Sequence, residues 1–485
     1  IMKVYIDIHI ILFIVALFSC SSKNTTEGND PILHGNDYVT AKITIDKSDK
    51  HAISSDLFGY NIVYAETPDR AWNNGVIENF TKETKTSFIR YPGGTVVTYW
   101  HWKEPTGNGW DDIWNPEYNM SSKPSSDFMD IDEYISLVNK FKINPLIGIN
   151  INSGYKYNRL NESVNEALDL MNYCKDKGLN VEYWYLGNEP YRPDCNGGPL
   201  TVEQYADLIN IFANAMRKNN PSVKLIANWL SNFTQQEKDY IKLLKLAGQN
   251  IDIFDVHHYW NWSTASLDGW LKKTPIGLWT GQSYIEDIKK FREIAQKNGY
   301  PDIKLATLEW NAGPGKESEE RLNVSQNAFV QCEMMMQFML GGMDIATFWP
   351  LFWRSGQFNE RGIYNIDSGK LNPNSLLLKE LSQFSSTQCL GTAIEGKKDN
   401  LLYLCVEDPD TKSLKGCILN KNGEPINIKI VESGITSNKP YSVRQYTLEN
   451  SNSLIQENIT AKSELKSKEL IFNILPYSIV FFETH

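Results

Sequence analysis

Eight short apolar runs, each parted from the next by a stretch with helical spacing, constrain this chain more than any other feature. The runs are LFGYNI (57–62), SFIRYPGG (87–94), NPLIGININ (144–152), EYWYLGNEP (182–190), KLIANW (224–229), DIFDVHHYW (252–260), KLATLEWN (304–311) and DIATFWPLFW (344–353). Between them lie DEYISLVNKF (132–141), VNEALDLMNYCKDKG (164–178) and SYIEDIKKFREIAQKNG (283–299), whose apolar residues recur at three and four positions. Strands that alternate with helices pair in parallel through crossover connections. Eight such units in about 300 residues predict an α/β fold, a (β/α)8 TIM barrel over 57–384.

Past residue 384 the texture changes. Residues 385–485 alternate short β-type runs such as LLYLCV, NIKIV, SVRQYTL and SIVFFET with Asn, Gly and Ser turns, the pattern of an all-β sandwich. YVTAKITID (38–46) reads as one more strand, so 38–56 is expected to join that sandwich. At the other end, Lys3 precedes IILFIVALF (10–18), too short to span a bilayer as a helix and suited to a signal-peptide core. It runs into LFSC (17–20), which resembles a bacterial lipobox. That resemblance implies a lipoprotein signal peptide over 1–20, a lipid on Cys20 and a flexible tether over 21–37. The expected location is the bacterial cell envelope, lipid-anchored to the outer membrane, with secretion as the alternative.

A net charge of −10 argues against a nucleic-acid partner, which would call for a basic face. Of the seven cysteines, the six beyond Cys20 show no CxxC or Cys/His metal spacing and read as free buried thiols. The fourteen tryptophans all fall between Trp72 and Trp353. Trp100, Trp102, Trp110, Trp114, Trp229, Trp260, Trp262, Trp349 and Trp353 sit just past strand ends or in the following loops. Strand C-termini form the working face of this barrel, and flat aromatic rings stack on sugars. Trp100, Trp260 and Trp349 are therefore candidates to contact a carbohydrate.

Glu189 closes the fourth apolar run and Glu309 the seventh. A carboxylate at one strand end can be a mere salt-bridge partner; two, from strands three apart on a closed barrel, can face each other over the axis. Glycoside hydrolysis uses such a pair: one carboxyl protonates the leaving oxygen, the other attacks or directs water at the anomeric carbon.

YLGNEP (185–190) and TLEWN (307–311) resemble the acid/base and nucleophile strands of clan A retaining glycoside hydrolases. RYPGGT (90–95) resembles the second-strand motif of the α-L-arabinofuranosidase family. HHYW (257–260) with GNEP is also similar to the heparanase and β-glucuronidase family. The resemblance spans roughly residues 38–485. It implies that Glu189 is the general acid/base and Glu309 the nucleophile, that Asn188 bonds the hydroxyl beside the anomeric carbon, that Arg90 keeps Glu309 ionised and that Tyr259 orients it. His257 shares a strand face with Tyr259 and would line the pocket, while alternation turns His258 away. A one-residue shift would select His258 and Trp260 instead. The His–His pair has no third ligand at suitable spacing, so neither metal nor other cofactor is expected.

Two positions depart from the arabinofuranosidase pattern, Val63 where Glu is usual and Thr95 where Asn is usual, and LEWNAGPG (308–315) differs from heparanase. The expected function is therefore a retaining glycoside hydrolase acting by double displacement on a plant or algal polysaccharide or its oligosaccharides. The alternative is a catalytically inactive carbohydrate-binding lipoprotein.

Overall fold

The computed structural model describes residues 39–119, 127–231, 235–275, 277–315, 321–354, 358–432, 441–448, 454–458, 462–464 and 469–484. Cys20, the expected signal segment and the tether lie outside the described residues. Among the described residues, no helix is long and apolar enough to cross a membrane.

Eight parallel strands close into a barrel. In chain order they are Gly59–Asn61, Phe88–Tyr91, Asn144–Ile149, Tyr183–Leu186, Lys224–Asn228, Ile253–Asp255 (continued as His258–Trp260), Lys304–Ala312 and Ile345–Phe348. Strand eight closes the ring, pairing with strand one through Thr347 and Gly59 and with strand seven through Ile345 and Ala306. The period of two sorts each strand between barrel axis and helices. Phe88, Leu146, Tyr185, Ile226, Ile253, Ala306, Leu308 and Ile345 fill the interior. Ile89, Tyr91, Ile147, Trp184, Leu225 and Phe254 face the helices.

Strand seven breaks that alternation at the point that matters. Its register with strand eight shifts between Ala346 and Phe348, so one extra residue is accommodated. Ala306 and Leu308 belong to the interior, and strict alternation would send Trp310 inward as well. Beyond the shift Trp310 instead packs outward, 5.5 Å from the Phe338 ring and 4.9 Å from Phe348. A bulge of this kind re-aims the side chains that follow it, and here Glu309 comes to face the mouth of the barrel.

Apart from a two-stranded ribbon of Tyr364–Asn365 and Lys370–Leu371, the remaining strands among the described residues form one curled ten-stranded sheet. Val39–Ala52 lies inside it, antiparallel to Gln388–Gly396 and parallel to Ile426–Val431. In the strand Ser478–Thr484, Val480 and Phe482 enter the sheet's own core, whereas Ile479 and Phe481 pack into the barrel's. Helix Val324–Gly341, buried nearly all round, is one element of that larger core. Lys421 of the sheet reaches Glu333 of this helix at 3.2 Å, with side chains 3% and 0% exposed. The six cysteines are free and buried.

Candidate active site

The sequence at the end of strand four builds a turn around a carboxylate. Gly187 takes φ +71° and ends the strand; Glu189 itself takes φ +43°. A non-glycine residue in that region costs on the order of 1–3 kcal/mol and persists only where its surroundings hold it. The Glu189 amide donates to Asn228 Oδ1 at 2.9 Å, and Asn228 Nδ2 donates in turn to Asp255 Oδ2 at 2.9 Å. Three neighbouring strands thereby fix one backbone position.

The Glu189 carboxylate is buried and fully engaged. Oε1 lies 3.0 Å from His257 Nδ1 and accepts from the Tyr191 hydroxyl at 3.2 Å. Oε2 accepts from Arg192 Nη1 at 3.0 Å. Burial would raise this carboxyl, but the hydrogen bond and charge of His257, with Arg192 and Tyr191, outweigh it and hold Glu189 below its ordinary value.

Glu309 has a different set of partners. Oε1 accepts from Arg90 Nη1 at 2.9 Å and Oε2 from the Tyr259 hydroxyl at 2.8 Å. Arg90 is wholly buried, and its guanidinium also donates to Asn61 Oδ1 at 3.0 Å and Asn188 Oδ1 at 2.6 Å while lying 4.2 Å over the Tyr185 ring. Burial opposes that charge, yet Tyr185, Glu309 and Asp255 raise Arg90 above its ordinary value. Burial, with Glu309 and Glu189 nearby, also pushes the Tyr259 phenol far up, so its hydroxyl stays a donor.

His257 joins the two halves. Its Nδ1 is 3.0 Å from Glu189 and 3.5 Å from Glu309, and its Nε2 is 3.2 Å from Asp255. Burial would lower His257, but the surrounding carboxylates of Glu309, Asp255 and Glu189 push it up to about 10. One carboxylate oxygen of Glu189, one of Glu309 and a His257 nitrogen all lie within 4.8 Å of one another. That spacing would also suit a cation, a role already taken by the guanidinium groups of Arg90 and Arg192.

These groups open into a cleft of about 480 Å³ lined by Val63, Thr95, Trp110, Arg192, Trp262, Trp349 and Trp353 beside the two glutamates, within the range of small-ligand sites. Trp110 and Trp262 are half-exposed, on loops after strands two and six, which stand opposite each other around the ring. The Gly-Gly pair of RYPGG makes room for this wall. A Cβ on Gly94 would lie 2.5 Å from the Trp349 ring, and one on Gly93 would lie 1.9 Å from the Ile62 carbonyl oxygen.

The structure thus brings Arg90, Asn188, Glu189, His257, Tyr259, Glu309 and Trp349 together. Three candidates stand elsewhere. Trp260 is buried on the outer face, because the alternation that carries Tyr259 inward carries Trp260 away. His258 goes with it, bonding Thr307 Oγ1 at 3.0 Å and packing against Tyr284 and Phe338. Trp100 is buried too, 5.2 Å from the Tyr91 ring and 6.5 Å from Tyr64. Arg192, Tyr191, Asn61 and Asp255 went unnoticed in the sequence. For Asp255, two residues before His257 on one strand face, alternation was a signal.

A family model described as alpha-L-arabinofuranosidase 1 domain matches residues 80–274. An intracellular exo-α-(1→5)-L-arabinofuranosidase of Acetivibrio thermocellus is 25% identical over 329 residues, 59% of this chain and 61% of that protein. Alpha-L-arabinofuranosidase C of Emericella nidulans is 27% identical over 161 residues, 30% of each chain. The chain therefore spans 61% and 30% of the length of these two curated relatives. Among solved structures, a family 51 α-L-arabinofuranosidase of Bifidobacterium longum superposes with a TM-score of 0.70 at 15% identity, covering 92% of this chain and 100% of that one. By motif, sequence and fold together, the chain resembles the α-L-arabinofuranosidases within clan A of the glycoside hydrolases.

Proposed function

We propose that the protein is a retaining glycoside hydrolase of arabinofuranosidase type, with Glu309 as nucleophile and Glu189 as general acid/base, acting on plant or algal polysaccharide or its oligosaccharides. The observation that carries this reading is the pair itself. An oxygen of Glu189 and one of Glu309 lie within 4.8 Å of each other, in keeping with the carboxyl separation of about 5–5.5 Å in retaining enzymes and short of the roughly 6.5–9.5 Å of inverting ones. The partners divide the roles. Glu309 accepts hydrogen bonds from Arg90 and from the Tyr259 phenol, which fix both its oxygens. Glu189 meets His257, a group that carries a proton.

In the first step a Glu309 oxygen bonds the anomeric carbon as the glycosidic C–O bond breaks, and the leaving oxygen takes a proton from Glu189. The leaving oxygen meets Glu189 on its cleft side, and the carboxylate left behind keeps its bond to His257 through Oε1. In the second step water replaces Glu309 at that carbon and yields its proton to Glu189. The relatives' names motivate arabinofuranosides as first substrates. Proton NMR of the first product formed from 4-nitrophenyl α-L-arabinofuranoside tests the reading: retained configuration is expected, and inverted product or no turnover on this or any polysaccharide would contradict it.

We also propose that Cys20 carries a lipid. Labelling with a fatty-acid analogue should mark the wild-type protein and not Cys20→Ser; an unlabelled wild-type protein would dismiss the anchor.

A further inference from the structure

The two oxygens of Glu189 have unlike neighbours. Oε1 faces inward to His257, which is 1% exposed. Oε2 meets Arg192, whose side chain is 43% exposed and lines the cleft. Oε2 is therefore on the side where a leaving group would sit. Arg192 is itself pinned: its Nε donates to Asp194 Oδ1 at 2.8 Å and its Nη2 to Asp194 Oδ2 at 2.6 Å, a two-point fork that leaves Nη1 aimed at Glu189. The fork fixes the guanidinium plane, so the Nη1 bond to Oε2 requires little further ordering.

We infer that Arg192 is a positioning residue for Glu189, anchored by Asp194, which directs the carboxyl's cleft-side oxygen. This rests on the reading of Glu189 as the acid/base. Above the midpoint, the Arg192 bond leaves less of Glu189 as the acid for the first step and more of it as the base for the second, so Arg192 favours the step in which water is activated. The other groups facing Glu189 are Tyr191 on its own loop, His257 with Asp255 behind it, Tyr259 and Glu309. His257 and Tyr191 act through Oε1 and Arg192 through Oε2, so Arg192 can be removed separately.

The test is a titration that needs no substrate. Glutamate side chains are labelled with ¹³C at the carboxyl, and the Glu189 signal is assigned by its loss in Glu189→Gln. In the wild-type protein its midpoint should lie below the ordinary value of about 4.3. In Arg192→Gln the midpoint should rise by about one unit, a tenfold gain in proton affinity. Arg192→Lys, which keeps charge but not fork, should rise less, and it decides the matter alone if Arg192→Gln does not fold. An unmoved midpoint in a folded variant overturns the inference. Failure of the hydrolase reading would show separately, as a wild-type protein that cleaves no glycoside. Where it does cleave phenyl α-L-arabinofuranoside, the alkaline limb of kcat/KM should move up by the same tenfold in proton concentration in Arg192→Gln. A merely structural role would lower the rate and leave the limb in place.

Discussion

Tyr259 and His257 show how single side chains set the chemistry. The phenol bonds only the second oxygen of Glu309, while Arg90 holds the first. A hydrogen bond to a charged group contributes about 1.5–3 kcal/mol, so Tyr259→Phe should lower kcat/KM roughly 10- to 100-fold with the fold intact, measured by initial rates. The histidines govern stability against pH. His257, pushed up to about 10, and His101, pushed up to about 9 against burial by Asp112 and Glu166, both bind protons more tightly folded than unfolded. Their contribution is whole below the unfolded value of about 6.5 and is lost as pH rises through 9 and 10. Melting temperature should fall over that window, and His101→Gln should flatten the fall. At this scale the sequence was legible where side chains sit on strands, because alternation places Arg90, His257 and Tyr259 together. It was not legible in loops: nothing in YRPD (191–194) says that Arg192 turns back to Glu189, and nothing about Trp100 says that its ring goes inward.

Among elements, the seventh strand and the RYPGG turn carry the site. Both were visible as motifs, but the strand's bulge was not, since a register shift depends on the neighbouring strand and not on LATLEWN alone. The same cause explains why two adjacent residues, Leu308 and Glu309, both turn toward the axis, which no period of two predicts. In the turn, Gly94 takes φ +56° with the Trp349 ring 2.5 Å from where a Cβ would stand. Gly94→Ala should cost about 1–3 kcal/mol through backbone strain and displace Trp349. KM should therefore rise more than kcat falls, checked by steady-state kinetics alongside urea unfolding.

On the scale of the molecule, barrel and sheet are tied by more than apolar packing. Glu333, raised by burial, has Lys421, Thr274 and the Trp270 indole as partners. Removing one partner of a buried pair costs about 3–5 kcal/mol because the other charge is stranded. Lys421→Ala should destabilise the protein by that amount in urea, and Lys421→Met with Glu333→Gln by much less. The barrel and all-β architecture were readable from periodicity, whereas this cross-link joins residues 88 positions apart with no local pattern. The central claim is that a sugar bonds Glu309 while Glu189 serves it as acid and base. Glu189→Ala, incubated with 2,4-dinitrophenyl α-L-arabinofuranoside and digested, tests it most directly by mass spectrometry. This substrate's leaving group needs no acid, so the first step should proceed and the second stall. One pentosyl unit should then be found on the peptide containing Glu309; an adduct on another residue, or a variant that turns over with inversion and never becomes labelled, would contradict the account.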